Sequence, residues 1–184
     1  MSNEDIYKRR KEADNTNTPI SVLAKLSTDE NLGIRCAVAR NPNAPIEALV
    51  NLAGDEHAAV RCAVAENPNT PADVLAILVE DEDWDVRWEV AKNLNTTGEM
   101  LEKLAADGIV GVRWEVAKNP HSTAEALNKL AVDEILGIRW AVAANPKIPL
   151  EAITLLCFSE ESYIRKALSE NPAVPEHIRV GLSL

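Results

Sequence analysis

The sequence predicts an all-α fold, an α-solenoid superhelix of about seven 26-residue two-helix repeats, and three observations carry that expectation. Asn15, Asn41, Asn67, Asn93, Asn119, Asn145 and Asn171 recur every 26 residues without a slip. Between successive asparagines lie two short apolar stripes of helical period, separated by turn signals. A unit this small buries its apolar face only against its neighbours, so a fixed period of this length signals stacking.

The repeat runs through the whole chain, and the reading is one helical-repeat domain over 1–184. Residues 1–14 are an N-terminal cap or degenerate unit, 15–170 six full repeats, and 171–184 a truncated last unit. The opening stretch MSNEDIYKRRKEAD is charged throughout and lacks the apolar core of a signal peptide. Its run Lys8, Arg9, Arg10 and Lys11 reads as the solvated face of a helix.

Each unit begins at a turn. Asn-Pro-x-x-Pro appears in full at Asn41, Asn67, Asn145 and Asn171. Asn there is expected to be a left-handed C-terminal cap, and the Pro after it stops the helix. The second Pro (Pro19, Pro45, Pro71, Pro149, Pro175) suits the first turn of the next helix, as in Thr70-Pro71-Ala72-Asp73, where Thr70 reads as the cap. Units without that Pro carry Thr96-Thr97-Gly98-Glu99 and Ser122-Thr123-Ala124-Glu125, which read as capping boxes.

The helix that follows places Leu23, Leu49, Leu75, Leu101, Leu127 and Ile153 in one slot. Three residues on come Leu26, Leu52, Leu78, Leu104, Leu130, Leu156 and Leu182, a one-sided apolar stripe. It ends near Asp29, Asp55, Asp81, Asp107 and Asp133, whose side chains suit the N-terminus of the next helix.

That next helix reads Ile/Val-Arg-x-x-Val-Ala. Pairs such as Val60 and Val64 face the core, and the Ala after them permits close helix approach. Arg35, Arg61, Arg87, Arg113, Arg139 and Arg165 form a ladder. A slot kept identical in six units is more plainly framework than site, so each Arg is expected to bridge the Asp or turn carbonyls of a neighbouring unit.

The pattern VRxxVAxNPxxPxxxLxxLxxD resembles the leucine-rich repeat variant family over essentially the whole chain from Ile6 onward. The resemblance implies a right-handed superhelix that alternates an α-helix with a second, tighter helix that can be 3₁₀. It implies no common catalytic activity and points to interaction modules. At 26 residues the unit is slightly longer than the family's usual repeat. The cysteine-rich iron-sulfur module of some members has no counterpart, so no cofactor is carried over.

Composition narrows the function. Twenty-nine acidic residues against nineteen basic ones give a formal charge of −10, which opposes nucleic acid and anionic membrane. No stretch approaches 18 consecutive apolar residues, the length a membrane span needs. Cys36, Cys62 and Cys157 are too scattered for a disulfide framework or a zinc site, and free thiols fit a cytoplasmic location. No phosphate loop, metal motif or nucleophile arrangement is present, so the chain is read as non-enzymatic, with no catalytic and no metal-binding residues.

The slots that vary among units are free to carry specificity. The slot after the ladder Arg holds Cys36, Cys62, Trp88, Trp114, Trp140 and Lys166. On a helical wheel it lies about 200° from the first core Val, so the three tryptophans are expected to project outward, with Trp84 on the same face. Glu89, Glu115, Lys92 and Lys118 flank them, and Gly111 and Gly137 are expected to leave room for a guest. Such a row marks a protein or peptide partner, or a second copy of the chain. The bland alternative is that the rings pack on one another. An enzymatic alternative, a hydrolase or a nucleic-acid-repair-like enzyme, would use Glu89 and Glu115 as paired acids, but each has a Lys three residues on for a surface ion pair. A purely structural or self-associating scaffold is the third reading.

Overall fold

A computed structural model of the chain describes residues 3–182, and among them every regular element is an α-helix. The helices fall into two compact units, Met1–Asn95 and Thr96–Leu184. The first holds α1 (Asn3–Asp14), α2 (Ile20–Leu26), α3 (Leu32–Arg40), α4 (Ile46–Ala53), α5 (Ala58–Glu66), α6 (Ala72–Leu78) and α7 (Trp84–Lys92). The second holds α8 (Gly98–Leu104), α9 (Val110–Lys118), α10 (Ala124–Leu130), α11 (Leu136–Ala144), α12 (Leu150–Leu156), α13 (Ser162–Glu170) and α14 (Glu176–Leu182).

Each unit is a two-layer helical stack, as the all-α solenoid expectation requires. In the first, α1, α3, α5 and α7 pack in succession as one layer and α2, α4 and α6 as the other. In the second, α9, α11 and α13 form one layer and α8, α10 and α12 the other. The leucine slots of the short helices meet the Ile and Val slots of the long ones. Leu23, Leu75, Leu101 and Leu127 are fully buried, as are Ile34, Val60, Val112 and Ile138. Ala39, Ala65, Ala117 and Ala143 are buried too, and the missing bulk lets adjacent long helices approach. Burying one such leucine contributes about 1.5–3 kcal/mol, so the stack rests on many equal increments.

The short helices are α-helical. Leu49 N–H donates to Pro45 O at 3.1 Å and Leu101 N–H to Thr97 O at 3.0 Å, both bonds spanning four residues.

Three local expectations change. The repeating Asn is not a left-handed cap: Asn41, Asn67 and Asn145 have φ of −67°, −67° and −68° with extended ψ, and no described non-glycine residue has positive φ. The reason is that the side chain is engaged across the stack. Asn67 Nδ2 donates to Ala39 O at 2.7 Å and to Asn41 O at 3.0 Å, while its Oδ1 accepts from Asn69 N–H at 2.9 Å. Asn41, Asn93, Asn145 and Asn171 repeat this pattern on the preceding unit. The extended backbone points the amide at those carbonyls.

The N-caps lie one residue later than expected. Pro45, Pro71 and Pro149 are themselves the cap residues, and Thr97 and Thr123 cap α8 and α10 by accepting from Met100 N–H and Ala126 N–H. The preceding hydroxyl is drawn inward instead: Thr18, Thr70 and Ser122 each donate at 2.6 Å to a carbonyl at the end of the previous long helix. Carbonyls in the last turn of a helix lack the N–H that a further turn would supply, and the hydroxyl takes that place.

The aspartates, likewise, stand two residues before the cap. Asp55, Asp81, Asp107 and Asp133 accept through Oδ1 from the N–H two residues on, at 2.8–3.0 Å, and so shape an Asx turn leading into each long helix.

Candidate functional site

The arginine ladder sets the frame. Arg61 grips both oxygens of Asp81, with Nε at 2.6 Å and Nη2 at 2.8 Å, while Nη1 donates to Asp55 O at 2.9 Å. Arg35 holds Asp55 and Arg113 holds Asp133 in the same fork. Arg9, read from the sequence as part of a solvated basic run, belongs to this ladder: it stands one repeat period before Arg35, and its Nη1 lies 2.5 Å from Asp29. Burial pushes the Asp55, Asp81 and Asp133 carboxyls up, but the guanidinium hydrogen bond, the Asx-turn N–H and the nearby positive charge outweigh it and hold all three below the ordinary value. These arginines are committed to the framework.

In the first unit, Trp84 opens α7 directly after the cap Asp83 and is 48% exposed. Trp88 is half-buried, with Lys92 Nζ 4.7 Å from its ring centroid. The same ammonium lies 3.2 Å from Glu89 Oε2, so one lysine serves both the ring and the carboxylate. Glu89, Lys92 and the exposed Leu94 border an open cleft of about 340 Å³. Cys62 occupies the Trp88 slot one repeat earlier, and its thiol is pushed up to about 11, first by burial and then by the charge of Glu89. The three cysteines are free.

In the second unit, Trp114 is half-buried and stacks on Trp140, their ring centroids 6.0 Å apart and their planes 15° from parallel. The bland reading therefore holds for this contact: the two rings pack on each other. Trp140 remains 39% exposed. It faces a cleft of about 400 Å³ that also takes in Tyr163 and the Lys166–Glu170 ion pair. Glu115 pairs with Lys118 at 3.2 Å.

The space expected beside Gly137 is not free for a guest. A Cβ there would lie 3.1 Å from Trp114 Cζ3, so the missing side chain makes room for the neighbouring indole. Tyr163 went unnoticed in the sequence, although a signal existed. It follows Trp140 at the offset at which Gly137 follows Trp114. Glu89 and Glu115 each carry the lysine three residues on, at 3.2 Å.

Among the described residues no helix is long and apolar enough to cross a membrane. No curated protein matches the chain. The family described as leucine rich repeat variant matches residues 32–57 and 58–83, each span one full 26-residue unit, so the unit length is no departure there. Among solved structures, one described as a leucine-rich repeat variant with a novel repetitive protein structural motif is similar with a TM-score of 0.69 and 29% identity. The similarity covers 92% of this chain but 66% of that one, so the chain spans slightly less than two thirds of its length. The two repeats at 32–57 and 58–83 are thus leucine rich repeat variant repeats by their family match, and over 92% of the chain the fold is similar to that of the solved leucine-rich repeat variant.

Proposed function

We propose that the protein is a non-catalytic binding module for a protein or peptide, using a long-helix face in each unit, that of Trp84 in the first and that of Trp140 in the second. The observation that supports this most is the standing exposure of these two rings, 48% and 39%, on helices whose core slots Val86, Val90, Ile138 and Val142 are fully buried. Large exposed aromatic area is costly to keep in water and is common where a partner covers it. In the first unit Trp88 lies under the Lys92 ammonium that pairs with Glu89, and in the second Trp114 stacks on Trp140, with the Glu115–Lys118 pair on the helix of Trp114. The formal charge of −10 favours a basic partner over an acidic one by long-range attraction.

The test is a double variant, Trp84→Ala with Trp140→Ala, examined by partner capture and by sedimentation mass alongside thermal melting. The expected result is an unchanged melt with loss of captured partners or, if the partner is a second copy, a fall in mass. Unchanged mass and partners together with a lowered melt would make the rings packing residues and the chain a structural scaffold.

A further inference from the structure

At one rung of the arginine ladder the turn of the next repeat carries no aspartate. Arg139 uses Nη1 as its equivalents do, donating to Asp133 O at 2.6 Å and Glu134 O at 3.3 Å. Its Nε and Nη2 edge differs. In Arg35, Arg61 and Arg113 that edge holds the turn aspartate just ahead of the next long helix, but the matching position ahead of α13 is Ser159. Ser159 keeps only half of the aspartate's role: its Oγ accepts from Glu161 N–H at 3.3 Å, reproducing the turn. It is neutral and too short to supply the carboxylate. Among the described residues no acidic side chain forms an ion pair with Arg139.

A cleft of about 420 Å³ opens at this place, lined by Arg139, Ser159, Leu155, Phe158 and Val132, with Glu160 and Glu161 also bordering it. Phe158 is 83% exposed, Val132 67% and Leu155 52%. A guanidinium fork lacking its carboxylate thus stands beside the most exposed aromatic side chain in the described chain.

We propose that this cleft is a binding site for a carboxylate presented by a partner peptide, specifically an aspartyl side chain followed by an apolar residue. The carboxylate takes the two-pronged position that Asp55, Asp81 and Asp133 occupy inside the protein, and the apolar neighbour lies on Phe158 and Leu155. The planar fork suits a carboxylate through two parallel hydrogen bonds. Glu160 and Glu161 disfavour a more highly charged anion such as phosphate. The site lies apart from the tryptophan face and does not depend on the function proposed for it.

The test follows the side-chain Nε–H signals of Arg139 and Arg113 by NMR at constant ionic strength. The probe is N-acetyl-Asp-Leu-amide, with N-acetyl-Asn-Leu-amide as control. The Asp peptide is expected to shift the Arg139 signal saturably at millimolar concentration and leave Arg113 unmoved, with the Asn peptide at least tenfold weaker. Ser159→Asp supplies the missing carboxylate from within, so it is expected to abolish the titration and raise the Tm by about 2–4 °C. Phe158→Ser is expected to weaken binding threefold or more. No saturable shift, an equal response to the Asn peptide, or undiminished binding by Ser159→Asp overturns the proposal. Trp84→Ala with Trp140→Ala leaves the titration unchanged, which keeps this result separate from that of the tryptophan face.

Discussion

Gly137 packs its backbone against the indole of Trp114 so closely that a Cβ would lie 3.1 Å from Cζ3 and 3.7 Å from Cε3. The same relationship holds between Gly33 and Arg10, where a Cβ would meet Nη1 at 2.7 Å. In both pairs the glycine follows the large side chain at one and the same offset, on the next long helix, and at that offset from the smaller Cys36 stands Ala59. At these contacts neighbouring repeats are fitted to one another by size, whereas Trp140 has the large Tyr163 at the same offset.

Gly137→Val is expected to push the Trp114 ring away and loosen its stack on Trp140. Overpacking of this kind costs about 1–3 kcal/mol, partly offset by the better helix propensity of a residue with a side chain. Chemical denaturation with tryptophan emission checks it, the expected result being lower stability and a red shift. Trp114→Ala in the same chain is expected to recover most of the loss, and strict additivity of the two substitutions would contradict the size match.

Asn67→Ala is expected to destabilise by about 1–3 kcal/mol, because it strips the donor from Ala39 O and Asn41 O and the acceptor from Asn69 N–H. Asn67→Asp is expected to be worse despite its matching shape, since it keeps the acceptor but sets a carboxylate against two buried carbonyls. Urea unfolding of the two variants gives the order. An Asp variant as stable as the parent would mean that the amide is not what joins the repeats.

Acid is expected to unlock the arginine ladder. The carboxyls of Asp55, Asp81 and Asp133 are lower in the folded chain than their ordinary 3.8, so the stability they contribute is complete above that value and is withdrawn as pH falls through the lower folded one. The Tm measured from pH 6 downward should hold to about pH 5 and then fall steeply. Asp81→Asn, which cannot titrate, should melt lower at neutral pH and show a shallower acid slope. An identical slope would assign the acid sensitivity to other groups.

The ladder also shows why some of the site was legible in the sequence and some was not. That Arg61 is framework followed from its recurrence, and the structure gives it the Asp81 fork that recurrence implied. That Arg9 belongs with it was hidden by its charged neighbours Lys8, Arg10 and Lys11, although its offset of one period from Arg35 was available. The outward direction assigned to Trp88 came from its own helix alone. A helical wheel knows nothing of the next repeat, and what covers Trp114 is the ring of Trp140.

By itself, then, the sequence determined the period, the helical class, and which Leu, Ile, Val and Ala slots form the core, because each of these follows from spacing within one repeat. Only the tertiary structure decided where each asparagine amide reaches, which tryptophans stay exposed, and that Arg139 keeps an open edge. Those depend on groups from different repeats coming within a few ångströms, as Asn67 does with Ala39 at 2.7 Å. Stacking brings such residues together, and the period says that the repeats stack without saying which atoms meet.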